Sequence, residues 1–463
     1  MFVIDTYINR YEFGTLFERI LGVMKKFFTI IAMTAFQAAV AQTPWTMEQC
    51  MAYAAKNASS VVQARWDVAT ATASRDESFA DFFPSVSAQV GTQFNWGRNI
   101  DPETNTYNNV TTFNNGYGLY ASLTLFDGGQ TLNRYRQARA ERERSINSVE
   151  MKRDDSAIAA MAAYADAVYY LCSIKIAQDK LEQSRAMLNL TKVQEELGMK
   201  GHPDVVQAEA TVADDNYNLV HQQNLHVQSM LTLRTAMNFP PDETLELDTT
   251  AGAPHAAFHG EDTESIYALA LTTNPKTVDA AMNVKTSKYA YDIAVGHLMP
   301  TISVNAGIST SYYKTITGGI SAPNFGDQFR NNRGEYVSAT LSIPIFSGLS
   351  RLSAKKRAKY ALESAKEQLS DQQRRLHDEI SSAVMDRDGY AMEILSMEAK
   401  VEADAEAYRL NLRKYEEGLL SLIDLQLSAN TYYSSRVSLL QKQMLYILKD
   451  KLVEYYKGNK IWM

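Results

Sequence analysis

Ser122-Leu-Thr-Leu-Phe126-Asp127-Gly128 returns as Ser342-Ile-Pro-Ile-Phe346-Ser347-Gly348, 220 positions later. The same offset carries Gly198 onto Gly418 and Asp204 onto Asp424, so landmarks separated by a long helix-forming stretch keep their register. The chain reads as an internal two-fold structural repeat. Each half holds a pair of alternating strands followed by a long helical hairpin.

Alternate side chains of a strand point to opposite faces. After Pro84, residues Val86, Ala88, Val90, Thr92 and Phe94 share one face and Ser85, Ser87, Gln89, Gly91 and Gln93 the other. After Pro300 the pattern returns as Ile302, Val304, Ala306 and Ile308 against Thr301, Ser303, Asn305 and Gly307. The partner strands agree, through Leu119, Ala121, Leu123 and Leu125 in one half and Val337, Ala339, Leu341, Ile343 and Ile345 in the other. The expected strands are 84–97, 117–126, 300–313 and 336–346.

A stretch of ~9–11 residues crosses a bilayer as a tilted strand. A soluble antiparallel sheet with one solvated face shows the same alternation. Two features favour the membrane: the expected strands carry no charged residues, and aromatics stand near their ends, at Phe94, Trp96, Tyr117, Tyr312 and Tyr336. Four strands cannot close a barrel, and an open edge in lipid costs several kcal/mol per unpaired backbone group. Three copies would supply about twelve strands, an even number of the kind membrane barrels use.

At the N-terminus, Met24-Lys25-Lys26 precedes an apolar run from Phe27 to Val40, and Ala39-Val40-Ala41 supplies small residues for cleavage before Gln42. This is the pattern of a secretory signal peptide behind an upstream extension. A retained anchor is the alternative, for which the apolar run is short. No later stretch is expected to reach ~18 consecutive apolar residues. Export together with barrel strands points to an outer membrane. The two cysteines, Cys50 and Cys172, are too few for a disulfide framework and read as buried small residues in helices.

Between the strand pairs, helix formers dominate and proline is absent from Thr131 to His202 and after Pro344. From 130 to 196 the chain can form one helix of ~100 Å at ~1.5 Å per residue. Apolar residues recur seven apart: Met161 with Val168, Tyr164 with Leu171, Ile174 with Leu181, and later Leu362, Leu369 and Leu376, then Leu425, Tyr432 and Leu439. An ordinary helix core shares that spacing; the length favours an extended bundle. At the ends, Gly198 and Gly418 suit a left-handed helix stop. Asp204 and Ser421 suit the caps of the next helices.

The chain divides into an extension and leader (1–41), a first repeat (42–238, tip 197–204), a linker (239–262), a second repeat (263–457, tip 415–424) and a tail (458–463). The order of its elements resembles the TolC-like outer-membrane efflux protein family. The residues that carry the likeness are Asn57 and Asn274-Pro275, the strand entries Pro84 and Pro300, the Phe-x-Gly turns, and the Gly-x5-Asp tips.

That resemblance implies a mixed α and β membrane protein: a trimeric 12-stranded outer-membrane β-barrel, four strands per protomer, continued by a long periplasmic α-helical coiled-coil barrel. It implies a passive conduit for an inner-membrane RND or ABC-type transporter and a periplasmic adaptor. Gly198, Met199, Gly418 and Leu419 match adaptor-contact positions. Asp424 matches an acidic ring at the constriction, and Tyr415 with Asp204 a hydrogen-bonded pair that holds the tips closed; a packing tyrosine and two capping aspartates are the plainer reading. Where some relatives place a second acid and an arginine, this chain has Leu427 and Leu420.

No phosphate-binding glycine loop or nucleophile triad stands in the sequence, and no enzyme, cofactor or metal role is expected. His221 and His226, five apart, do not share a helix face as a metal pair would. His202-Pro203-Asp204 is a co-chaperone signature without the compact helical context such a domain needs. A net charge of −7 argues against nucleic acid. The competing reading is an exported coiled-coil adhesin or scaffold, which needs long helices but not charge-free strand pairs.

Overall fold

The computed structural model describes residues 44–101, 105–109, 111–248, 256–317 and 323–462. The expected leader at 1–41 lies outside the described residues. The chain separates into two units. The smaller holds residues 1–46 and 241–251. In its described part Trp45 forms a parallel bridge with Leu247, donating its N–H to the Glu246 carbonyl at 2.7 Å and accepting from the Asp248 N–H at 2.9 Å.

The larger unit, residues 47–240 and 252–463, holds the named helices and strands. In chain order they are α1 (Met47–Asn57), α2 (Ser59–Ala80), β1 (Ser85–Asn95), β2 (Arg98–Asp101), β3 (Thr106–Asn109), β4 (Thr112–Phe126), α3 (Gln130–Glu196) and α4 (His202–Met237). Then follow α5 (Thr263–Thr273), α6 (Pro275–Gly296), β5 (Thr301–Thr315), α7 (Phe325–Asn331), β6 (Gly334–Ser342), α8 (Ser350–Glu416) and α9 (Leu422–Tyr456).

The long helices α3 and α8 have 67 residues each. Helix α3 packs against α1, α2, α4 and α6, and α8 against α5, α6 and α9. The short helices are interrupted where backbone chemistry requires it. Asn274 is extended because Pro275 excludes the helical region for its predecessor. It ends α5 and also starts α6, its side chain accepting from the Lys276 N–H at 3.0 Å. Asn147 of α3 donates to the Pro275 carbonyl at 2.7 Å and pins this break to the long helix.

The core is a string of small clusters spread along the helices. One joins Ile266 and Ala270 of α5 to Leu376, Ile380 and Val384 of α8 and Val453 and Tyr456 of α9. Full burial of such a side chain contributes ~1.5–3 kcal/mol. Beside it Arg387 is buried, ion-paired to Glu261 at 3.2 Å and Asp388 at 2.9 Å, so residues 256–262 are tied to α8 by charge. By mean hydropathy α3 contains an 18-residue stretch apolar enough to cross a membrane, though not a run of consecutive apolar residues; half of it is buried among the other helices. Cys50 is buried and its thiol pushed up to about 12 by desolvation, whereas Cys172 is half-buried.

Strands β1, β4, β5 and β6 form one antiparallel sheet in that order, leaving β1 and β6 as its edges. Val90 pairs with Tyr117, Leu119 with Ile308 and Ala306 with Val337, so the apolar residues share a face. On the polar face the rings of Tyr120 and Tyr336 lie over Gly307, where a Cβ would stand 2.9 and 2.6 Å from them.

Four expectations need correction. Strand β6 stops at Ser342, because Pro344 has no N–H to give a ladder; Ile343 and Ile345 lie beyond it. A bulge between Thr124 and Phe126 sets Phe126, instead of Leu125, opposite Ile302. The strands are not wholly free of charge, since β5 and β6 extend to include Lys314 and Glu335. Tyr336 pairs with Gly307 and points to the polar face, away from the other aromatics. In the expected loops at 98–109 and 314–334, β2 and β3 pair as a hairpin and α7 forms a short helix.

Candidate channel gate

Both long helices end by the same device. At the first tip Gly198 has φ +72° and donates to the Glu195 carbonyl at 2.8 Å, while Met199 donates to Gln194 at 2.8 Å. At the second, Gly418 has φ +76° and donates to Tyr415 at 2.9 Å, while Leu419 donates to Lys414 at 2.8 Å. Each is a Schellman stop, in which a left-handed glycine lets two amides fold back onto the last carbonyls. The side chains that follow have no such duty, and Met199 and Leu419 are exposed.

The following helices start differently. Ser421 caps α9, accepting from the Asp424 N–H at 3.1 Å and donating to the Asp424 carboxylate at 2.6 Å. Gly201 stands at the cap position of α4 with no side chain to offer, and Pro203 fixes the first turn. Asp204 is therefore not the cap residue; from the third position of the helix its carboxylate accepts from the Gly201 N–H at 3.2 Å. His202 reaches back across the first tip to Glu195 at 2.9 Å.

Tyr415 is 0% exposed. It packs with Ala208, Leu422 and Leu425 in a core that joins the two tips. Its hydroxyl bonds Thr191 of α3 at 2.8 Å, not Asp204 as expected. Since Thr191 gives its proton to the Met187 carbonyl at 2.9 Å, the tyrosine is the donor. Lys200 from the first tip lies over the ring, 4.8 Å from its centre. Burial raises the Tyr415 pKa, and the Asp204 carboxylate adds to the rise.

Further up the hairpins lies a group that the sequence reading did not single out. Asp215 of α4, 2% exposed, pairs with Lys180 of α3 at 2.8 Å and accepts from the Ser184 hydroxyl. Gln426 of α9 donates to Thr211 of α4 at 2.6 Å, bridging the hairpins. Asp179 of α3 meets Arg436 of α9 at 3.1 Å. Thr191 and Tyr415 are 224 positions apart, which no local pattern bridges. The one signal for Asp215 was a carboxylate on the buried side of its helix.

Asp424 is exposed, beside an apolar stripe of Leu419, Ile423 and Leu427, each about two-thirds or more exposed. Four-residue spacing puts Ile423 and Leu427 on one side of α9, and Leu419 lies in the turn that leads into it.

A model of the outer membrane efflux protein family matches residues 52–238 and 266–447. Nodulation protein T of Rhizobium leguminosarum is 25% identical over 325 residues, which span 68% of this chain and 65% of that protein. The probable efflux pump outer membrane protein TtgC of Pseudomonas putida is 23% identical over 391 residues, 82% of this chain and 75% of its own length. Among solved structures, the Campylobacter jejuni CmeC outer membrane channel superposes with a TM-score of 0.76 at 14% identity, covering 89% of this chain and 85% of that one. The fold is that of the outer-membrane channels. With both tips and all but the last turns of the second hairpin inside the matched residues, the chain belongs to the outer membrane efflux protein family, whose place is the outer membrane.

Proposed function

We propose that three copies of this chain close a 12-stranded barrel in the outer membrane, and that their long helices continue it as a periplasmic tunnel. One observation carries this: the four-stranded sheet is apolar on one face, polar on the other, and has two unpaired edges. In lipid those edges need partners, and copies of the chain supply β6 for β1. The apolar face then meets lipid and the polar face, with Asn305, Ser122 and Tyr120, lines the pore. The two-fold repeat accounts for the paired hairpins.

Such a duct has no energy source of its own. It passes substrates outward for an inner-membrane pump of RND or ABC type, through a periplasmic adaptor that meets Gly198, Met199, Gly418 and Leu419. An added Cβ on either glycine finds no neighbour within 4 Å, so both tips are open to close approach. The constriction combines the Asp424 carboxylates with Leu419, Ile423 and Leu427, an apolar gate bearing one ring of charge. Tyr415 acts between the tips, through Thr191, and Asp204 within the first, through Gly201.

Single-channel recording in planar bilayers tests the reading. Purified protein is expected to conduct, and Asp424→Asn to lose part of the preference for cations. A stable oligomer that stays silent even with Tyr415→Ala, which removes the core joining the tips, would support the adhesin or scaffold reading.

A further inference from the structure

The loop between β5 and β6 does not simply project outward. Helix α7 folds back onto the apolar face of the sheet, with Phe329 5.5 Å from the Tyr117 ring and Phe325 5.4 Å from Tyr312. It is fastened there by backbone hydrogen bonds. The buried Gln328 side chain accepts from the Tyr313 N–H and donates to the Tyr313 carbonyl, both at 2.8 Å. Thr310 donates to the Phe329 carbonyl at 2.7 Å, and Asn332 to Ser311 at 2.8 Å. Four polar contacts to one strand fix where the two rings stand.

That place is the upper margin of the apolar band. From Ile302 to Tyr312 the strand rises ~33 Å at ~3.3 Å per residue. Tilted by ~40°, it gains ~25 Å, the height of a membrane barrel's apolar belt. At this level an aromatic row crosses the sheet: Trp96 on Phe94 at 6.0 Å, Phe94 on Phe113 at 5.0 Å, Phe113 on Tyr312 at 6.2 Å, then the two rings of α7. Lys314 stands one step above, exposed and with no ion pair among the described residues. Arg333 and Glu335 pair with each other lower down, Glu335 standing opposite Ile308.

Between α7 and the sheet lies an open groove, floored by Ala88, Val90, Leu119 and Ile308, walled by Phe329 and rimmed by Arg333. We infer that α7 is a membrane-interface element: the groove holds an acyl chain of the outer leaflet, with Phe325 and Phe329 immersed beside it. Lys314 then stands at headgroup level, and Arg333 rims the groove below it, paired with Glu335. The groove's apolar floor is continuous with the face assigned to lipid, and Lys314 at the belt's margin suits a lipid boundary. This rests on the barrel reading.

Nitroxide labels at single cysteines test it, in full-length protein carrying Cys172→Ser and reconstituted in phosphatidylcholine vesicles. Cys50 is buried and stays unlabelled. A label at Phe329→Cys, or at Phe325→Cys if the first variant fails to assemble, is expected to be relaxed several-fold more by oxygen than by an aqueous nickel chelate. Val337→Cys reports mid-belt and Tyr107→Cys reports water. A nickel-accessible label on α7 with an oxygen-accessible label at Val337 would overturn the inference and leave the barrel intact. A label on α7 shielded from both reagents would show a second copy covering the helix, and would also overturn it. Nickel access at Val337 would sink the barrel reading itself.

Discussion

The first hairpin tip and the second share one exit and part ways at the entry. Both stop on a left-handed glycine, but α9 is capped by the Ser421 side chain, whereas α4 begins at a bare Gly201 backed by Pro203 and Asp204. The first hairpin is also closed further up by the buried Lys180–Asp215 pair. The second carries the exposed stripe of Leu419, Ile423 and Leu427. A fixed hairpin beside one with an apolar face to cover is the arrangement expected of a frame and a moving gate.

The strongest blow to that division is Tyr415→Ala, which empties the core where the tips meet. A loss of ~3–5 kcal/mol is expected, as for other buried aromatics. Conductance should rise with it. Tyr415→Phe removes only the bond to Thr191 and should cost ~1 kcal/mol. Equal effects of the two in denaturant unfolding would show that the hydroxyl, not the ring, holds the tips.

Next in size is Lys180→Met, which leaves the Asp215 carboxylate buried without its cation. About 3 kcal/mol of destabilisation follows, and joint replacement with Asp215→Leu should recover most of it. Failure of the double variant to recover would mean that the pair does not act as a unit.

Gly198→Ala and Gly418→Ala should each cost ~1–2 kcal/mol, the strain of a left-handed non-glycine residue. No steric difference separates the sites, since both open onto free space. Unequal costs in thermal unfolding would reveal a hidden asymmetry at the exits. At the entries asymmetry is the expectation. Ser421→Ala should lose ~1 kcal/mol, while Gly201→Ser should gain at most a few tenths. The gain is small because a Cβ there meets Pro203 Cδ at 3.3 Å.

Sequence and structure agree where the signal is short-range. Strand parity from Val86 and Ile302, and the stops at Gly198 and Gly418, depend on neighbours a few residues away. Thr191 as a partner of Tyr415 has no sequence signal, because the fold brings it up across two hairpins. The seat of α7 was hidden because a loop of Asn, Gly and Pro declares no period, and the contacts that fix it involve Gln328 and backbone groups. Lys314 and Glu335 escaped notice because strand ends follow register with a neighbour, which one strand's sequence does not carry.

The subunit count tests the central claim most directly, since two open sheet edges are tolerable in lipid only if other copies close them. Native mass spectrometry of detergent-extracted protein should give a complex of three chains, with no monomer until the detergent is exchanged for denaturant. A stable monomer under the same mild conditions would contradict the barrel, and with it the gate at the tips.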